Sequence, residues 1–192
     1  MFVLYPNPGN LVATGQRIFN PSPDPDAVAS LAETMPSDAE AIKIAVKEMI
    51  PFSCDWETYG MPWYCPTVPQ VLEKAKGDCK ARALVLASIL EAKGIPCTIN
   101  YSTVHVWVEY ENKEVSASEN DEVKLFQQDP VTGERSVGIP SISSTAIKNE
   151  FLDTLWRPMP MTRKALLFCG LAVLVWLRLR HWKRVLGTKR TA

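Results

Sequence analysis

Gly77-Asp78-Cys79-Lys80 opens a helical stretch that runs from Asp78 to Lys93, and the rest of the chain is organised around it. Asp78 is a good N-cap, able to accept hydrogen bonds from the unpaired N–H groups of a first turn. Gly77 gives an incoming loop the backbone freedom for a tight approach. Cys79 then falls at the first helical position, where the positive end of the helix dipole favours thiolate over thiol. Ala83, Leu86 and Leu90 continue one apolar face at helical spacing. The pattern predicts a buried helix with its thiol at the lip of the core. A cysteine in this position is also a common inert small hydrophobe, so the downstream sequence decides between the two.

Gly94-Ile95-Pro96 ends the helix and leads into a strand, Cys97 to Tyr101. A second strand is predicted over Val104 to Tyr110. On it His105, Trp107 and Glu109 share one face, and Val104, Val106, Val108 and Tyr110 the other. The chain has two histidines, and the second, His181, lies in a basic tail. If an imidazole activates Cys79, it is therefore His105.

The ordered set resembles the transglutaminase-like superfamily. It comprises Gly77-Asp78-Cys79, Ala83 with the Leu84–Leu90 apolar run, Gly94-Ile95-Pro96, and His105-Val106-Trp107-Val108-Glu109. The resemblance covers roughly residues 67–121. It implies an α+β fold with a papain-like core, a cysteine helix packed on a small antiparallel sheet, and Cys–His chemistry on an amide. Family members include peptidases, amidases, protein cross-linkers and inactive binding versions, so the resemblance selects no substrate.

The family commonly has an aspartate on the next strand, and here the sequence departs. With Asn112-Lys113 as a two-residue turn, Asn120 falls opposite His105. With the turn at Glu111-Asn112, Ser118 does. Asp121 has the wrong parity for that face without a bulge. Asp129-Pro130 looks like the family's Asp-Pro but lies 24 residues beyond His105. Asn120 is the favoured third member, since an asparagine can orient an imidazole as in Cys-His-Asn proteases.

Upstream, residues 1–36 read as an extended, proline-rich arm with a short helix at Asp26–Glu33. The domain proper is expected over 37–156. Ser37-Asp38-Ala39-Glu40 reads as a capping box for a helix to Ile50. Residues 51–66 form an aromatic loop in which Trp56 and Trp63, with Trp107 on the second strand, are candidates for a substrate groove. Gln70, in a predicted short helix Pro69–Lys76, invites comparison with the glutamine of papain-type oxyanion holes. The backbone N–H of Cys79 is the favoured oxyanion donor. Cys54 and Cys65 form a disulfide only in an oxidising compartment. The five cysteines offer no zinc spacing, and neither a metal nor a cofactor is expected. Past the second strand, Val123–Gln128 and Ser136–Ile139 read as short strands, 140–148 as a loop, and Glu150–Trp156 as a short helix.

The net charge of zero hides a split. Residues 1–156 carry 12 basic and 21 acidic side chains, and residues 157–192 carry 9 basic and none acidic. An acidic body does not suit a nucleic-acid binder. Ala165 to Leu177 is 13 residues without a charge, flanked by arginines and lysines able to snorkel. A single membrane anchor is expected over 163–184, with a basic tail over 185–192. The basic residues after the run would keep the tail cytoplasmic, while no signal peptide carries the body across, so the side of the body stays open. The expectation is a single-pass, membrane-anchored thiol hydrolase, a peptidase or amidase acting on a protein or peptide through Cys79, His105 and Asn120. The alternatives are a cross-linking acyl transferase and a catalytically silent binding or scaffolding module on the same fold.

Overall fold

The computed structural model describes residues 3–102, 105–113, 126–128, 135–137 and 144–188. The fold is α+β with one long apolar helix at the C-terminal end. Helix α1 (Pro8–Phe19) is followed by a 3-10 turn (Asp26–Val28) that leads into α2 (Ala29–Thr34). Then come α3 (Ala39–Met49), α4 (Asp55–Thr58), α5 (Val68–Lys74) and α6 (Cys79–Ala92). Strands β1 (Cys97–Tyr101), β2 (Val106–Tyr110), β3 (Phe126–Gln128) and β4 (Arg135–Val137) form a sheet in the order β2-β1-β3-β4. Helix α7 (Ser144–Phe151) runs into a π-helical turn (Leu152–Trp156), and α8 (Met161–Thr188) follows.

Helix α6 is the hub, packed by α2, α3 and α5 on one side and by β1 and β2 on the other. The sequence marks one apolar face, yet every residue from Ala83 to Leu90 is buried. A helix apolar on all sides is a core helix. Its Ser88 is tolerated there because its hydroxyl donates to Leu84 O at 2.8 Å and accepts the N–H of Asp24 at 3.0 Å. The helix ends as Gly94 predicts. Gly94 has φ +71°, and Ile95 N–H bonds back to Leu90 O at 2.9 Å, closing a Schellman motif.

Gly77 serves a purpose other than conformational freedom. Its N–H bonds to Pro51 O and its carbonyl accepts from Ser53, so the loop before α6 pairs with the end of α3. A Cβ at Gly77 would come within 2.5 Å of the Ala81 Cβ, which is fully buried. Gly77→Ala should therefore destabilise the body by about 1–3 kcal/mol, as overpacking does. An unchanged urea midpoint would show that the α6 N-terminus has room to give.

Several upstream expectations are corrected. Residues 8–19 are not an extended arm. Asn7 caps α1 through Gly9 N–H, and Pro8 sits at the first helical position, where its missing N–H is harmless. The core takes in Val28 and Ala32, so the body begins before residue 37. Helix α3 is capped by Asp38 rather than Ser37, through Ala41 N–H at 2.8 Å. Glu40 does not reach back as a capping-box partner but binds Lys43 and the Tyr110 hydroxyl. Residues 144–148, expected in a loop, belong to α7.

Helix α8 is continuous through the expected anchor and on to Thr188, beyond the expected tail boundary. Met161–Trp182 is long and apolar enough to cross a membrane, and its side chains are not buried in the body. Exposed Leu166, Phe168, Leu171, Val173, Leu174 and Trp176 point in all directions round the axis. A helix apolar on every side, and met by the body only near its start at Leu167 and Phe168, suits lipid better than water.

Candidate active site

The turn into β2 sets the geometry of the site. The Ser102 N–H donates to His105 O at 2.8 Å, and the His105 N–H donates to the Ser102 hydroxyl at 2.8 Å. The His105 backbone thus faces β1. Backbone groups alternate along a strand, so the N–H of the next residue, Val106, points away from β1 to the outer edge of β2. The head of α6, with Cys79, packs against the core cluster to which Val106 and Val108 belong. The His105 ring is stacked on Trp107 at 6.0 Å between centroids and 12° between planes.

A cavity of about 700 Å³ is lined by Cys79, His105, Trp107, Cys54, Asp55 and Trp63, among others. The structure thus brings Cys79, His105, Trp63 and Trp107 to one space. It does not bring Trp56 there. That indole is buried, donates to Leu155 O at 3.0 Å, and packs with Leu155 and Met159 in a second apolar cluster. Gln70 is likewise committed elsewhere, its side-chain oxygen accepting from Thr67 N–H at 2.9 Å and from the Tyr64 hydroxyl. The N-terminal boundary of β2 is Val106, so His105 belongs to the turn rather than the strand.

Asn120, Ser118 and Asp129 all lie outside the described residues. The turn after β2 is described: Lys113 N–H bonds to Tyr110 O at 3.3 Å and Asn112 has φ +60°, so it is centred on Glu111-Asn112. A left-handed asparagine is well tolerated at such a position.

The electrostatics of Cys79 correct the dipole expectation. Burial and the neighbouring Asp78 carboxylate push the thiol up, and Lys80 with nearby backbone hydrogen bonds only partly offsets them. Asp78 accepts the N–H groups of Lys80 and Ala81 at 3.0 and 3.2 Å, leaving the Cys79 N–H outside the cap. Cys54 and Cys65 are free thiols in separate places. Cys54 lines the main cavity, and Cys65 lies in a smaller one beside Arg17 and Pro66.

Behind the thiol lies a charge cluster that the sequence reading missed. Lys80 Nζ bridges Asp55 Oδ2 at 3.0 Å and the Asp78 carboxylate, with the Lys80 side chain 14 % and that of Asp55 7 % exposed. One signal was present. A lysine in the first turn of a helix opposes the dipole, which calls for an acidic partner. Of the two carboxylates sharing one ammonium, the more buried, Asp55, is pushed up to about 7, chiefly by burial and then by Asp78, against the pull of Lys80.

This shift fixes a pH dependence. A folded-state value raised above the unfolded one means that the folded body holds the extra proton. The stability from Asp55 is full below the ordinary carboxylate range and is lost as pH rises through about 7. Asp55→Asn should flatten the stability profile between about pH 4 and about pH 7 in urea titrations. An Asn variant with the wild-type slope would assign the dependence to another group.

No known protein-family model matches the chain, and no curated protein matches it in sequence.

Proposed function

We propose that the chain is a membrane-anchored, transglutaminase-like cysteine hydrolase that cleaves an amide in a protein or peptide. The observation that carries this reading is that Cys79, at the head of α6, and His105 line one cavity together with Trp63 and Trp107. With the Cys79 thiol pushed up by burial and Asp78, His105 acts here as a general base. It takes the thiol proton as the sulfur attacks the carbonyl carbon. The oxyanion is received by the Cys79 N–H at the head of α6. The C–N bond breaks, His105 gives its proton to the leaving amine, and a thioester remains. A water deprotonated by His105 then attacks the thioester, releasing the acid and restoring the thiol. Trp63 and Trp107 wall the space the substrate chain would occupy.

The rate of Cys79 alkylation by iodoacetamide at neutral pH, read by mass spectrometry, tests this. It should exceed that of glutathione under the same conditions. A rate at or below that of glutathione would remove the reading. The raised Cys79 thiol favours a second reading, in which the same fold binds a peptide without turning it over. The alkylation rate separates the two, since a binding module has no cause to activate a buried thiol.

A further inference from the structure

Membrane-anchored enzymes often hang on flexible tethers, but here the anchor is fastened to the body. Leu167 of α8 packs on the cluster of Trp56, Leu155 and Met159, and the Phe168 ring meets Trp156 edge-on at 6.1 Å. Arg163 donates to Val3 O at 2.6 Å and Lys164 lies over the Trp156 ring at 5.3 Å. Phe168 is seven residues past Met161, or about 10 Å along the helix axis. It also lies inside the charge-free run that begins at Ala165. Whatever touches Phe168 is drawn to the edge of the hydrocarbon layer once that run is in lipid.

Trp156, which touches Phe168, is drawn there, and the helical run that ends at Trp156 also carries Phe151. Trp156 and Phe168 are exposed, as are Trp63 and Phe151, whose rings lie 6.1 Å apart. Trp63 is held outward, 42 % exposed, by a backbone with φ +47°, which is unusual for a bulky residue. Aromatic rings of this kind concentrate at the boundary between headgroups and chains. Lys164 lies beside them, Arg163 is held on Val3 O and Arg157 is paired with Asp153 at 2.5 Å; from residue 154 on the chain carries basic but no acidic side chains, a net balance that complements anionic headgroups.

We propose that these four rings form a collar seated in the interfacial layer of an anionic lipid bilayer, which holds the mouth of the Cys79 cavity at the membrane surface. Trp63 belongs to both the collar and the cavity wall, and Asp153, between Phe151 and Trp156, lines the cavity too. The amide that reaches Cys79 is then one presented at headgroup level. This rests on α8 crossing the membrane.

The full chain is reconstituted in nanodiscs of phosphatidylcholine and phosphatidylglycerol brominated either near the glycerol end or near the chain terminus, and tryptophan quenching is recorded. Shallow bromine should quench the wild type, and W63F and W156F should each lose part of that quenched emission. W176F reports the anchor alone. If W176F lowers quenching while W63F and W156F leave it unchanged, the anchor stands and the collar is overturned. If bromine at neither depth quenches the wild type, the anchor reading and the collar fall together. Circular dichroism of each variant guards against loss of fold.

Discussion

Cys79→Ala should abolish covalent labelling by a thiol-directed activity probe and lower amide hydrolysis on the order of 10³-fold or more, the usual loss when a nucleophile is removed. The other four cysteines do not substitute for it. Cys54 shares the cavity but caps α4 rather than heading α6. Its thiol is pushed up by burial and by the acidic side chains of Glu57, Asp55 and Asp78. Cys65 and Cys97 are pushed up further, to about 11 and about 12, chiefly by burial. Cys169 lies in α8, away from the cavity. Labelling that persists at full rate in Cys79→Ala, mapped to Cys54, would transfer the nucleophile's role and with it the meaning of the α6 N-terminus.

Lys80→Met should cost about 3–5 kcal/mol of stability, the usual penalty for removing one partner of a buried ion cluster. At a pH well above about 7, where Asp55 is ionised, the two carboxylates left behind, Asp55 and Asp78, would face each other with no cation between them. Against a total of roughly 5–15 kcal/mol for a domain, this is a large share. The urea midpoint of the body should fall by about 2 M. Adding Asp55→Asn removes one of the stranded charges and should restore much of the loss. A loss below about 1 kcal/mol would mean that water reaches the cluster and that the ion pair behaves as a surface one. Because Asp78 is also the N-cap, the same experiment reports how firmly the head of α6, and so the thiol, is held.

Residues that act through their neighbours in sequence were legible, and those that act through distant ones were not. The helix from Cys79, its Gly94 terminus and the β1–β2 pair follow from short-range patterns, and the structure reproduces them. Helix α1 was hidden because the proline-rich composition of residues 1–36 read as an extended arm. It is held by long-range bonds, Arg17 to Cys65 O at 2.8 Å and Tyr5 to Pro62 O at 2.5 Å, that no local window contains. Trp56 looked like a groove residue because it sits among aromatics. Its indole N–H is claimed by a carbonyl 99 residues away. The dipole argument for Cys79 was sound as far as it went, but the head of the helix is too deeply set for the dipole to outweigh burial. The Asn112 turn shows a finer limit: the sequence favoured Asn112 as the first turn residue, and the structure makes it the second, with φ +60°.

The pairing of Cys79 with His105 is tested most directly by the pH dependence of Cys79 alkylation in the full chain and in His105→Gln. Wild type should react on the order of 10²-fold faster than the variant near neutral pH, with the two rates converging at alkaline pH where the thiol ionises unaided. Superimposable profiles would contradict the account, leaving Cys79 a buried thiol beside a histidine that does nothing for it.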